Sequence, residues 1–184
     1  MRQKGRYCAI SRENIIQQSK DAFIIALFNL LKEKNFEDIS INHLTLESGY
    51  SRRTYYRYFD NKSAILDEAF LQFLNCYHNH LSETSIDVTD ISNIPNLFVD
   101  FIWPYRQQIR ILAQQNLLIP LITRHAVQIS KVLLTIKVSW RDKVAPHKID
   151  YAIIYSIGGF AFLLNLIFRE EIPTEPQEIS KALT

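Results

Sequence analysis

Between Ile39 and Phe59 the chain reads ISINHLTLESGYSRRTYYRYF, two short helical patterns joined at Glu47-Ser48-Gly49-Tyr50. In the first pattern Ile39, Ile41, Leu44 and Leu46 supply apolar positions. Ser40 stands where a side-chain oxygen can cap free backbone N–H groups, and Gly49 ends the helix where a left-handed residue is wanted. Ser51 can cap the next helix in turn, and its hydroxyl and the amides beside it suit a phosphate. The turn is as short as a helix-turn-helix requires, and the helix after it carries three arginines and three tyrosines.

On a wheel at roughly 100° per residue, Arg52, Arg53, Tyr56 and Arg57 fall on one arc with Tyr55 and Phe59 opposite. One face is cationic and the other aromatic. Guanidinium forks can read guanine edges in the major groove, while Thr54, Tyr58 and backbone amides suit phosphate oxygens. The competing reading is a solvated charged face over an aromatic core stripe. The cap, the glycine turn and the preceding short helix favour nucleic acid.

From about Ile15 to Ala69 the chain resembles the DNA-binding domain of the TetR/AcrR family of transcriptional regulators, whose motif runs roughly I-x-x-I-A-x-x-A-G-V-S-x-x-T-x-Y-x-x-F-x-x-K-x-x-L. It appears here without gaps as Ile41, Leu44, Gly49, Tyr50, Ser51, Thr54, Tyr56, Phe59, Lys62 and Ile65. The resemblance implies that Arg52, Arg53 and Tyr56 reach base edges and that Thr54, Tyr58 and Lys62 hold phosphates. Ser40 and Asn42 would touch the flanking backbone or a groove edge. Where the family often has leucine, a small residue and histidine, this chain has Tyr55, Arg53 and Tyr58. Tyr55 is expected to face inward with its hydroxyl at the rim of the core, and Arg53 to alter sequence preference. Thr45 and Ser48 replace the usual packing alanines.

The chain has 184 residues, 47% of them apolar, with four glycines and six prolines, so it can bury a real core and is expected to be helical throughout. The net charge of +2 is too small for general adhesion to nucleic acid, but its distribution is uneven. Residues 1–66 hold eleven Lys and Arg against seven Asp and Glu, a balance of +4; the rest hold ten against twelve, a balance of −2. Residues 1–6, MRQKGR, read either as a basic arm for an adjacent groove or as a solubilising tail.

Ser11 to Phe36 supplies a leading helix whose apolar stripe is Ile15, Ile16, Ala22, Phe23, Ala26, Leu27, Leu30 and Leu31, with Phe36 and Ile39 closing the bottom of the bundle. Asp60-Asn61 caps a long helix from Lys62 to about Leu81, and Ser82 to Asn93 reads as a loop. Further helices are expected over Ile94–Asn116, interruptible at Pro104, over Leu117–Val144, broken near Pro120, and over Pro146–Glu171. The last is apolar around its circumference, which asks for more partners than one chain supplies. A membrane span is the competing reading, at the short limit of length. Dimerisation through a four-helix bundle is the better one, with Gly158, Gly159 and Ala161 allowing close approach. The resemblance implies a homodimer through C-terminal helices, chiefly 147–170, and hence a pseudo-palindromic operator on double-stranded DNA.

The resemblance also implies an effector pocket in the second domain, for which Phe101, Trp103, Tyr105, Trp140 and Tyr155 are candidate lining residues. Such aromatics at helical spacing equally suit plain core. Cys76 and His80 share a helix face, but two ligands fall short of a zinc site, and no metal or cofactor is expected. Cys8 and Cys76 show no disulfide spacing, which indicates a reducing cytoplasm. With no glycine-rich phosphate loop and no Gly-x-Ser-x-Gly, an enzyme has no support. The expected molecule is all-α and TetR-like. An N-terminal three-helix bundle with a helix-turn-helix (1–62) precedes a helical dimerisation and effector domain (63–184), in a cytoplasmic repressor released by an effector, a small molecule or a protein partner. The alternative is an adaptor or coactivator whose second domain binds a protein.

Overall fold

Apolar spacing of three and four residues builds the first helix, and its partners follow from that stripe. The computed structural model describes residues 12–83, 93–135 and 146–169, with 175, 176, 178 and 179. The expected Ser11 cap and the basic arm lie outside the described residues. Helix α1 (Arg12–Leu31) turns Phe23, Ala26, Leu27 and Leu31 fully inward. Ser19 is buried on the same side, its hydroxyl satisfied by the Ile15 carbonyl at 2.9 Å. Ile15 itself is 52% exposed, so the stripe begins a turn later than expected.

The helix stops at Leu31 rather than reaching Phe36. Lys32, Glu33 and Lys34 fold into a turn on the Asn29 and Leu30 carbonyls, and a single 3-10 turn, Phe36–Asp38, follows. Phe36 and Ile39 are buried. Helix α2 (Ile41–Ser48) and helix α3 (Arg52–Tyr58) then form the helix-turn-helix, with Gly49 at φ +73° between them. A side chain at Gly49 would meet nothing within 4 Å, so the demand there is on backbone conformation and not on space.

Phe23 is the centre of this unit's core. Its ring lies 5.6 Å from Tyr55 and 5.8 Å from Phe59, both edge-on, and 5.8 Å from Tyr50. Edge-to-face rings at such distances add to the burial of their area. Leu44 and Ile65 are completely buried beside them. Leu46, expected among the apolar positions of α2, is 86% exposed instead, because the turns that carry Leu44 inward carry Leu46 outward.

Helix α4 (Lys62–Glu83) starts on Asn61, whose Oδ1 accepts the Ala64 N–H at 3.0 Å. The chain divides into two compact units between Ala69 and Phe70. The reason is that the first turns of α4 belong to the head: Ile65 and Leu66 are buried, and Glu68 pairs with Lys20 of α1 at 2.9 Å.

In the second unit α5 (Asn93–Ile102) gives way at Trp103–Tyr105 to a 3-10 turn holding Pro104, and α6 (Arg106–Gln114) continues. The expected boundary between Asn116 and Leu117 is present: Asn116 adopts φ +57° and Leu117 N–H reaches back to the Leu112 carbonyl at 2.8 Å. The further break expected near Pro120 is absent. Pro120 sits in the first turn of α7 (Leu118–Arg124), where a missing N–H breaks no helical bond. Helices α8 (Ala126–Thr135) and α9 (Pro146–Arg169) complete the described residues, which contain no strand.

Helix α9 packs against α6, α7 and α8, and buries Ile149, Ala161, Leu164, Ile167 and Phe168. It is not buried on all sides within one chain. Tyr151, Ile154, Tyr155, Phe162 and Leu166 lie between 54% and 83% exposed along one side. Length and composition alone would let residues 148–169 cross a membrane.

Candidate nucleic-acid interface

Seven residues of α3 set out the surface. Arg52, Arg53, Tyr56 and Arg57 are exposed, Thr54 and Tyr58 are half-buried, and Tyr55 and Phe59 are buried. The Tyr55 ring lies edge-on to Tyr56 at 5.2 Å, so the buried tyrosine supports the exposed one. Burial, then the neighbouring Tyr56 and Asp60, pushes the Tyr55 hydroxyl up to about 12. That hydroxyl is buried with no hydrogen-bond partner among the described residues.

Both helices of the motif are capped. Ser51 Oγ accepts the Thr54 N–H at 3.2 Å and lies 3.0 Å from Thr54 Oγ1, a pair that uses one of the two hydroxyl hydrogens and leaves the other for a phosphate. Ser40 Oγ accepts the His43 N–H at 3.2 Å, while Ser40 N–H donates to His43 Nδ1 at 3.2 Å. This is a capping box with histidine where glutamate or glutamine is usual. His43 was not among the expected residues; it completes the cap of α2, and its position three residues after Ser40 was the signal. Asn29 Nδ2 donates to Glu47 at 3.1 Å and ties α1 to the end of α2.

Two expected DNA-contact residues meet each other. Arg52 donates through Nε to Asn42 Oδ1 at 2.8 Å, and through Nη2 to the same oxygen. A third residue faces away from the expected role. Lys62 Nζ donates to the carbonyls of Phe36, Glu37 and Ile39 at 2.5, 2.9 and 3.4 Å. It also lies 3.7 Å from the Glu37 carboxylate and 4.5 Å from the centre of the Phe36 ring. An ammonium has three N–H donors. While these bonds hold, Lys62 has none to offer a phosphate.

A doubly capped helix-turn-helix with a cationic outer face and an aromatic inner one is thus in place, and residues 23–69 match the sequence model of the bacterial regulatory proteins of the tetR family. This stretch is a TetR-family DNA-binding domain. Its match spans the last part of α1 through the first turns of α4, the same elements that form the compact head. Among solved structures this TetR-type chain is similar to "Dihydroxyacetone kinase operon activator DhaS", with a TM-score of 0.56 over 90% of this chain and 89% of that one. At 12% identity that likeness establishes the all-α fold alone. No curated protein matches. DNA binding and transcriptional regulation follow from the family domain.

The candidate effector residues of the regulator do not form one group. Phe101 joins Phe73, Tyr77 and Tyr105 in an aromatic cluster, with ring centres 4.9 to 5.7 Å from it. Burial pushes the Tyr77 hydroxyl up to about 12 and raises that of Tyr105 too. Trp103 lies away on Phe168, at 6.5 Å. Tyr155 is 83% exposed on α9 and does not enter the cluster, and Trp140 lies outside the described residues.

Proposed function

We propose that this TetR-family regulator binds a pseudo-palindromic operator as a homodimer, most simply as a repressor, and that an effector or partner on the second unit releases it. The observation that carries the reading is the exposed arc of Arg52, Arg53, Tyr56 and Arg57 above buried Tyr55 and Phe59. Arg52, Arg53 and Tyr56 then reach base edges, and Ser40, Ser51, Thr54 and Tyr58 stand toward the phosphates. Lys62 instead braces the connection between α1 and α2.

The exposed apolar side of α9 supports the dimer. Tyr151, Tyr155, Phe162 and Leu166 recur at helical spacing, and a Cβ placed on Gly158 or Gly159 would meet nothing within 4 Å of this chain. A second copy of the same helix fits such a face, and two-fold pairing places recognition helices about 34 to 36 Å apart or a multiple of that. Helix α4 begins in the head and continues past Ala69, so tilting it is the proposed route from effector to reading face. The second reading, an activator or a protein-binding coactivator, has one support: the structural neighbour's name is that of an operon activator.

Genomic footprinting of the purified protein should find a palindrome near a regulated promoter, and transcription from it should rise on deletion of the regulator. A fall on deletion instead makes it an activator. Arg52→Ala and Tyr56→Ala should each weaken operator binding by about 1 to 3 kcal/mol and relax preference at one position per half-site. Unchanged preference in both variants would sink the assignment of the reading face.

A further inference from the structure

We infer that Asn42 is a positioning residue which sets the Arg52 guanidinium for reading a guanine, and that it is not a DNA contact in its own right. The inference rests on the proposed reading role of Arg52. Asn42 lies in the first turn of α2 and Arg52 opens α3, ten positions later, so the contact spans the turn of the motif. Asn42 Oδ1 accepts from both Nε and Nη2 of Arg52, which occupies one whole edge of the planar fork.

A guanidinium offers five N–H donors in a fixed plane. With the Nε edge held, the end of the fork remains: both hydrogens of Nη1 and the second one of Nη2. That pair of nitrogens matches the O6 and N7 acceptors of guanine in the major groove. An arginine free in water would lose much of its rotamer freedom on docking, whereas one already held in plane loses less. The Asn42 oxygen, an acceptor that phosphate oxygens would repel, is turned toward the arginine. Both residues are exposed, and replacing either leaves the core of the head untouched.

The test uses the full-length protein and the tightest duplex it selects from a random-sequence library, with fluorescence anisotropy as the readout. Each half-site guanine is replaced in turn by 7-deazaguanine, which lacks the N7 acceptor. Asn42→Ala should weaken binding of the selected duplex about tenfold and remove the discrimination against 7-deazaguanine at one position. Non-specific duplex should be bound as before, with an unchanged melting temperature. In an Arg52→Ala background the same substitution should change nothing, and Asn42→Asp, which keeps the acceptor, should retain the discrimination while binding all duplexes more weakly. A loss that persists in the Arg52→Ala background makes Asn42 a direct contact and overturns the inference. So does undiminished discrimination in Asn42→Ala. If Arg52→Ala itself leaves discrimination intact, the base-reading role fails and takes this inference with it.

Discussion

Helix α3 in the head shows water three arginines and a tyrosine, whereas α9 in the second unit shows it two tyrosines, a phenylalanine, an isoleucine and a leucine. Both helices bury an opposite side rich in large side chains. The α3 surface is complete in water because guanidinium groups are hydrated there and need a partner only for function. The α9 surface is not, since contiguous apolar side chains left in water mark a place where another surface belongs. The head thus presents a face suited to a polyanion, and the second unit an apolar face that the proposed dimer would cover.

The sharpest way to break that contrast is to destroy one core and watch the other. Phe23→Ala should destabilise the head by about 3 to 5 kcal/mol and abolish DNA binding, with the melting transition of the second unit in place by calorimetry. A single transition shifted as a whole would show that the units do not melt separately. Next in size, Phe162→Glu should reduce the light-scattering mass to one chain of 21.6 kDa and weaken operator binding by roughly 10²–10⁴-fold, because linked half-sites become separate ones. A wild-type mass of one chain at micromolar concentration would remove the apolar face from the argument.

Lys62→Met asks whether every cation near the reading face serves DNA. It should lower head stability by about 1 to 3 kcal/mol through the lost charged hydrogen bonds, yet leave the salt dependence of operator binding unchanged. A phosphate contact would flatten that slope by about 0.9. The smallest effect concerns Tyr55, whose buried hydroxyl lacks a partner where leucine is frequent in the family. Tyr55→Phe should raise stability by about 1 kcal/mol. Its hydroxyl titrates near 12 when folded against an ordinary 10.0, so above pH 10 the unfolded chain releases that proton first and stability falls. The alkaline loss between pH 10 and 12 should be smaller in Tyr55→Phe, as read by denaturant midpoints.

Much of the head was legible because its signals are local. Ser40 and Ser51 bond to amides three residues on, Gly49 supplies one backbone conformation, and Phe23, Leu27 and Leu44 follow helical spacing. Helix ends were less legible where a proline misled. Pro104 stands in a break and Pro120 in a first turn, and the local sequence at each is compatible with either. Leu46 and Ile15 are apolar yet exposed, because the faces that bury Leu44 and Ser19 point the other way. The candidate effector residues are spread over separate contacts: Phe101 packs on Tyr77 and Tyr105, Trp103 on Phe168, and Tyr155 is exposed.

The residues by themselves determined an all-α chain with a capped helix-turn-helix and a cationic reading arc, because caps, turns and periodicity act within a few positions along the backbone. Tertiary structure alone decided what the long side chains do. Lys62 reaches carbonyls 23 to 26 positions away, and Arg52 reaches Asn42 across the turn, because a flexible cation settles on whichever acceptors the fold brings within its length. Spacing along the chain carries no record of those acceptors, which exist as a group only once α1, α2 and the start of α4 have packed around Phe23.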